Sequence, residues 1–501
     1  MRYSVLVILF FVFQFDGVFA QNDHCGQDVQ HTANLISRYL SEAPLAPRDD
    51  QYIPLVFQLI GDDGGNIDIL YNDIYEAVCL TNGYFSESGL QFYILSIDRP
   101  FSSSSFEDDP LGNSQLIEMT QHPQALDIFV ANFSPASGFD LFSSFTSFTY
   151  DAIFIRDEAL NGTSQALAHQ LGHYFHLLHP FAGWLDVISP EEYYDPTGGN
   201  SAVAILPNGI VTELVDGSNC ESSGDLICDT PPDFFFGSYF QGCPQNATIL
   251  DANGQLIPWM PGNIMGSFVD CPTENYFFSP QQNQVMLADY LNPEKDYLRE
   301  LPAPTLGTIT QETVVLIAPI SGATLDFNGL LQWTSAGENI SYIVEFSRLP
   351  GFNLMHEQFV ATDTFINLNN CQDFDPYNYY WRVRPVTAGN NCTTSFSSVE
   401  SFEANPCIDI TNDKILQLEW RIYPNPVSHR EGLQLSTTLP SPQVFSISLS
   451  TITGELISRQ KQEFQAETSI FTIPKPNLPT GVYLITLEAE GKTSTKRLIV
   501  Q

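Results

Sequence analysis

The stretch ALAHQLGHYFHLLHPF, residues 166–181, constrains the fold more tightly than any other part of the chain. Its apolar residues Leu167, Leu171, Tyr174, Phe175 and Leu178 recur at the helical period, so the spacing predicts a helix over 163–178 with one buried stripe. His169 and His173 then stand one turn apart on one side, a spacing at which two imidazoles bind a single Zn²⁺ at about 2.0–2.1 Å. A third ligand is needed. His176 continues the helical face, but at 1.5 Å of rise per residue it lies about 10.5 Å along the axis from His169, too far to share an ion. His179 can join them if the helix breaks between and the chain turns back, which puts His176 at the turn. Histidine visits left-handed backbone more readily than most residues, at a cost of order 1 kcal/mol. The expected metal ligands are therefore His169, His173 and His179.

The residue after the first histidine decides what such a metal can do. Zinc acidifies a bound water, but peptide hydrolysis also needs a neighbouring carboxylate to take the proton and pass it to the leaving amine. In H-E-x-x-H that group is the glutamate, and here it is Gln170. A carboxamide can orient water by hydrogen bonding, yet it cannot accept and return a proton near neutral pH. Loss of a general base typically costs about 10²- to 10⁴-fold in rate. Glu158 and Asp186 flank the helix and are the nearest substitutes in sequence.

The remainder of the chain is long enough for several cores, with 501 residues of which 43% are hydrophobic. Residues 1–20, MRYSVLVILFFVFQFDGVFA, read as a secretory signal whose apolar part is too short to span a membrane, and no span is expected in the mature chain. A formal charge of −39 repels phosphate backbones and anionic lipid, which argues against a nucleic-acid or membrane-surface role. Nine cysteines in an exported chain imply disulfides. Four of them, Cys220, Cys228, Cys243 and Cys271, form one block with three possible connectivities.

Residues 21–50 read as a polar leader containing HCGQD. YIPLVFQLIGDDGG reads as a buried strand ending in a turn, IDILYNDIYEAVCLTNGYF as a helix, and LQFYILSI and ALDIFVANF as strands, so a mixed α/β (α+β) domain is expected over 51–298. From 301 to 405 the pattern changes to short alternating strands, GLLQWTSAG, SYIVEFSRL, TFINL and YYWRVRPVT, with Trp333, Tyr342 and Trp381 as core anchors of an antiparallel sandwich. Residues 418–501 are again short strands, the pattern of a second all-β sandwich.

GHYFHLLHPF, followed by CESSGDLICDTPPD, NIMGSF and CPTENYFFSPQQNQVM, resembles the pappalysin or cytophagalysin family of secreted zinc peptidases, a branch of the metzincins, over about residues 51–295. The resemblance implies a metzincin-like catalytic domain with His169, His173 and His179 as zinc ligands and Met265 as the apolar support beneath the metal. It also implies that Asp225 and Asp229 could add a structural calcium, and it favours the pairs Cys220–Cys243 and Cys228–Cys271. Cys25 in the leader would be a thiolate cap in a latent form, or a partner of Cys79, or an exposed thiol. The chain departs from the family at Gln170, at His176 where the family has glycine, and at Met265-Gly266-Ser267 where the family has Met-Asp-Tyr. The missing tyrosine hydroxyl would stabilise the developing oxyanion, and one such donor is worth roughly 10²- to 10³-fold. Phe268 could replace its ring but not its hydroxyl.

Two further resemblances complete the expectation. Residues 301–405 resemble a fibronectin type III domain. YPNPV, TGELI and LPTGVYLITLEAEGKTSTKRLIV resemble the C-terminal sorting domain of the type IX secretion route, which implies passage across an outer membrane, contact with the secretion machinery, and a secreted or surface location. The expected protein is an exported zinc-binding member of the pappalysin-like family with little or no peptidase activity, retained to bind a peptide or protein ligand. An active peptidase with another carboxylate as base, and a surface adhesin working through the sandwich, are the alternatives.

Overall fold

The computed structural model describes residues 29–42, 50–133, 144–184, 202–206, 209–234, 249–258, 260–267, 276–325, 329–368, 374, 377–388, 393–404 and the strand-bearing stretches of 420–500. The signal, Cys25, Asp186, Cys243, Phe268 and Cys271 lie outside the described residues. The chain divides into two compact units, one of Met1–Ala323, Leu330–Asn367 and Tyr379–Phe402, the other of Thr324–Gly329, Leu368–Asn378 and Glu403–Gln501.

The first unit opens with a helix, α1 (Val29–Ser41), inside the segment expected to be a polar leader. Leu35, Ile36 and Tyr39 belong to the main core, and α1 packs on a later helix, α6 (Pro280–Tyr290). Then come β1 (Gln51–Leu59), α2 (Tyr71–Tyr84), β2 (Leu90–Asp98), α3 (Ser104–Asp108), α4 (Ser114–Thr120), β3 (Leu126–Ala131), β4 (Ser144–Ser147), β5 (Ala152–Arg156) and α5 (Ala166–Tyr174). The apolar runs expected to be strands form one sheet in the order β2-β1-β3-β5-β4. β1 pairs parallel with β2 and β3, and β3 with β5, with Leu55 opposite Leu126 and Ile128 opposite Ile153. Only β4, at the edge, runs antiparallel, with Phe145 opposite Phe154. Parallel strands are buried on both faces, which explains why β3 and β5 carry apolar residues in succession instead of alternation, with the buried Asp127 of β3 held by Gln58 and His122.

Strands Leu330–Trp333, Ser341–Ser347, Met355–Ala361 and Asn378–Val386 form the expected sandwich. Trp333 and Trp381, on different sheets, have ring centroids 6.3 Å apart and are buried with Tyr342, as the alternation predicts. The sandwich is fastened to the α/β part. Gln358 accepts from the Tyr71 amide at 2.7 Å and donates to the Ile69 carbonyl at 2.8 Å, and Arg384, 4% exposed, reaches Glu76 at 2.7 Å. In the second unit, Gln443–Thr451, Leu456–Phe464, Gly481–Ala489 and Lys492–Val500 make an antiparallel sheet around Phe445, Ile447, Ile485, Leu487 and Leu498. Among the described residues no helix is long and apolar enough to cross a membrane.

Candidate metal centre

Helix α5 starts where Asn161 accepts from the Thr163 and Ser164 amides and the Ser164 hydroxyl accepts from the Ala166 amide. It ends at His176, whose φ of +62° is left-handed. The His176 amide donates to the His173 carbonyl at 2.8 Å and the Leu177 amide to the Gly172 carbonyl at 2.9 Å, the paired bonds of a Schellman stop. The chain therefore turns back at His176, as the spacing requires, and returns His179 to the helix.

His169, His173 and His179 are 3%, 0% and 0% exposed, and their Nε2 atoms form a triangle with edges of 3.0–3.1 Å. The His169 Nδ1–H donates to the Ile264 carbonyl and the His173 Nδ1–H to the Leu177 carbonyl, both at 2.8 Å. Each bond fixes the tautomer that leaves Nε2 as a lone-pair donor. Burial, and then the neighbouring His179 and His169, hold His173 well below the usual imidazole range. Three Nε2 atoms within 3.0–3.1 Å of one another are a donor set of the kind that would hold zinc. Among the described residues these are the one group of three or more histidine, cysteine and carboxylate side chains whose ligating atoms all lie within 4.8 Å of one another.

Met265 is fully buried beneath the helix. A Cβ on Gly172 would lie 2.5 Å from its sulfur, which is why the residue before His173 is glycine. Ile264, the residue before Met265, supplies the carbonyl that orients His169, so this turn both supports the helix and sets the ring of its first histidine. At the position where the resemblance has tyrosine, the Ser267 hydroxyl donates to Asp233 at 2.8 Å.

Gln170 is fully buried, and its Oε1 accepts from the Thr146 hydroxyl of β4 at 2.9 Å. Its Nε2 has no hydrogen-bond partner among the described residues. Glu158 does not join the site: it is 63% exposed and pairs with Arg156 at 3.2 Å. His176 also faces elsewhere, its Nδ1 lying 3.1 Å from Asp289 of α6. Asp289 accepts from the Tyr39 hydroxyl of α1 at 2.9 Å and has Lys295 at 3.9 Å. Burial alone would raise the Asp289 carboxyl, but His176, Lys295 and Tyr39 outweigh it and hold it below its ordinary range.

The acidic loop departs from expectation in its disulfide. Cys220 is bonded to Cys228, with Cα atoms 5.1 Å apart, which overturns the pairs Cys220–Cys243 and Cys228–Cys271. The short helical turn at Cys220–Ser222 brings the chain back within eight residues, so the nearer thiol captures it. Asp229 accepts from the Ser279 hydroxyl and the Gln281 amide and so anchors the start of α6. Asp225 instead faces Glu213, which the sequence did not single out. Burial and then the Asp225 charge push Glu213 far above the usual carboxylate range, and burial pushes Asp225 up against the bonds from Thr230 and Ile227. Glu213 Oε2 is buried without a hydrogen-bond partner among the described residues. The left-handed Gly224 makes room for it, since a Cβ there would lie 2.1 Å from that oxygen.

Residues 421–501 match the model of a secretion system C-terminal sorting domain. No curated protein matches the chain. Similar solved structures include the chicken interferon gamma receptor alpha chain, at 13% identity over 37% of this chain and 98% of that one, with a TM-score of 0.14. The FN1–FN3 domains of chicken CNTN1 match at 14% identity over 37% and 64%, with a TM-score of 0.14. Dimeric latent PorU from Porphyromonas gingivalis matches at 13% identity over 39% and 20%, again with a TM-score of 0.14. Scores this low carry over neither fold nor function. The sorting domain marks the chain as a type IX secretion substrate that engages the secretion machinery and is exported to the cell surface or beyond.

Proposed function

We propose that this exported protein is a zinc-binding, pappalysin-like scaffold of the metzincin type whose cleft holds a peptide or protein ligand and hydrolyses peptides slowly or not at all. The observation that carries the reading is the triangle of three buried Nε2 atoms, with Gln170 instead of a carboxylate after the first histidine. Zinc, when bound, supplies a Lewis acid. His169, His173 and His179 would hold it, with Ile264 and Leu177 keeping two of the rings in the ligating tautomer. Gln170 can donate or accept a hydrogen bond but cannot shuttle a proton. Ser267 is committed to Asp233, which leaves the tyrosine's role unfilled. Thr146 of β4, the last strand in the sheet order, touches Gln170 and so sets that strand beside the histidine helix.

A second ion fits the acidic loop. Glu213, Asp225 and Thr230 bring hard oxygen donors together, and Ca²⁺ would give the buried Glu213 oxygen the partner it lacks among the described residues. The adhesin alternative gains nothing from a sandwich bound to the α/β part by Arg384 and Gln358. The reading is tested by measuring zinc in the purified mature chain and assaying mixed peptide libraries beside a Gln170→Glu variant. About one zinc per chain with negligible turnover is expected. Chelator-sensitive turnover by the unaltered chain at ordinary peptidase rates would reject it.

A further inference from the structure

We infer that His122 and Asp98 form a further metal site, open to solvent, that binds a divalent first-row ion such as Zn²⁺ or Cu²⁺ through His122 Nε2 and the Asp98 carboxylate. It shares no residue with the histidine triangle, so it stands or falls independently of the zinc reading above.

Three neighbouring strands build the site. Asp98 ends β2, opposite Gln58 of β1, Asp127 is on β3, and His122 lies in the loop between α4 and β3. The hydrogen bonds around His122 decide its tautomer. Gln58 has two amide hydrogens, and both are taken, one by the Thr120 carbonyl at 2.9 Å and one by Asp127 Oδ1 at 2.8 Å. The Gln58 nitrogen also lies 3.3 Å from His122 Nδ1 but has no hydrogen left for it. Asp127, 2% exposed, accepts from the His122 backbone amide through Oδ2 at 2.7 Å and has Oδ1 3.0 Å from His122 Nδ1. Both of its oxygens accept from amides, which suits the ionised form, and an ionised carboxylate can only accept. Nδ1 therefore carries the ring hydrogen, and Nε2 of the neutral imidazole carries a lone pair.

That lone pair meets a second acceptor. Nε2 lies 3.6 Å from Asp98 Oδ2, which the Ser96 hydroxyl holds by donating at 3.0 Å. Two electron-pair donors facing each other repel unless a cation lies between them. The distance distinguishes the two candidates. A proton on Nε2 would draw the pair to about 2.7–2.9 Å, whereas a metal ion bonded at about 2.0–2.2 Å to each atom holds them near the spacing seen. The buried carboxylate behind the ring is the partner that metal-ligating histidines usually have, because it fixes the ring and raises the basicity of the ligating nitrogen. His122 and Asp98 are 36% and 40% exposed, so the remaining coordination positions are open to water.

The test counts copper on the full mature chain, with Cu²⁺ as the probe because a given nitrogen and oxygen site binds it tightest among these ions. The unaltered chain is compared with His122→Gln, which removes the nitrogen ligand, and with Asp98→Asn, which removes the charged oxygen ligand and leaves the contact of His122 with Asp127 in place. Each variant should hold one copper fewer at a free copper level that saturates the unaltered chain. The electron paramagnetic resonance signal lost in His122→Gln should carry the splitting of a single imidazole nitrogen. Because each count is a difference between chains, the helix histidines cancel. Asp127→Asn should weaken the same site about 10- to 100-fold with both ligands present. Circular dichroism checks the fold of each variant, and the partly exposed Asp98→Asn serves if the His122 variant fails to fold. Equal copper counts in the unaltered, His122→Gln and Asp98→Asn chains, or a lost signal without an imidazole nitrogen, would overturn the inference and leave His122 and Asp98 as a simple ion pair.

Discussion

Replacing His176 by glycine, the residue that the family resemblance has at this turn, should destabilise the protein. Backbone alone argues the opposite, because His176 sits at φ +62° and a non-glycine residue in that region is strained by about 1 kcal/mol or more. Part of that relief is cancelled by the greater freedom glycine gives the unfolded chain, about 0.4–1 kcal/mol. Against it stands the contact of Nδ1 with Asp289 at 3.1 Å, where both side chains are nearly inaccessible, 9% and 1% exposed. Taking a polar neighbour away from a buried carboxylate costs about 1–3 kcal/mol. The imidazole also stacks on Phe148 with centroids 4.7 Å apart, worth about 0.5–1.5 kcal/mol beyond area. The side-chain losses exceed the backbone gain by about 2 kcal/mol. Calorimetry of the metal-free mature chain should show the transition of the first unit lowered by a few degrees. A double-mutant cycle with Asp289→Asn should return a coupling of about 1 kcal/mol or more. A His176→Gly protein that melts higher, or a cycle with no coupling, would refute the claim that this histidine was retained for its partner.

His173→Ala should abolish stoichiometric zinc binding, read by elemental analysis, while the fold persists by circular dichroism. Gln170→Glu should restore only weak peptidase activity, and Gln170→Glu with Ser267→Tyr should exceed it by up to about 10²-fold, since the two positions serve separate roles; equal rates would show that the methionine turn is not limiting. Calcium should raise the melting temperature more at pH 8 than at pH 5. Glu213 and Asp225 have raised folded-state values, so without an ion their contribution is greatest below the ordinary carboxylate range and is lost as pH rises toward those values. Calcium stabilises the ionised pair, and Glu213→Gln should remove the calcium effect. Ile36→Ala should cost about 2–5 kcal/mol, because α1 is part of the core; a neutral result by denaturant titration would restore the leader to a dispensable role.

What the sequence disclosed is what neighbouring residues decide. The helix, the left-handed stop at His176 and the return of His179 lie within a run of a few turns, and the spacing of side chains along a helix is nearly invariant, so these features were legible without the fold. Met265 needed a resemblance to be noticed, and only the approach of its sulfur to Gly172 explains why it must be there. Glu213 was missed because no helical or strand period links it to Asp225 and neither carries a motif of its own. Asp289 was missed for the same reason, and so was the second role of His176. Seen locally, that histidine is a tolerated flaw in a turn that prefers glycine. Seen with α1 and α6 in place, it ties the end of the metal helix to Asp289, and through Asp289 to Tyr39 at the front of the chain. A residue that departs from the pattern the sequence resembles can thus be a gain in the scaffold: His176 costs the turn its glycine and brings the end of α5 to a buried carboxylate.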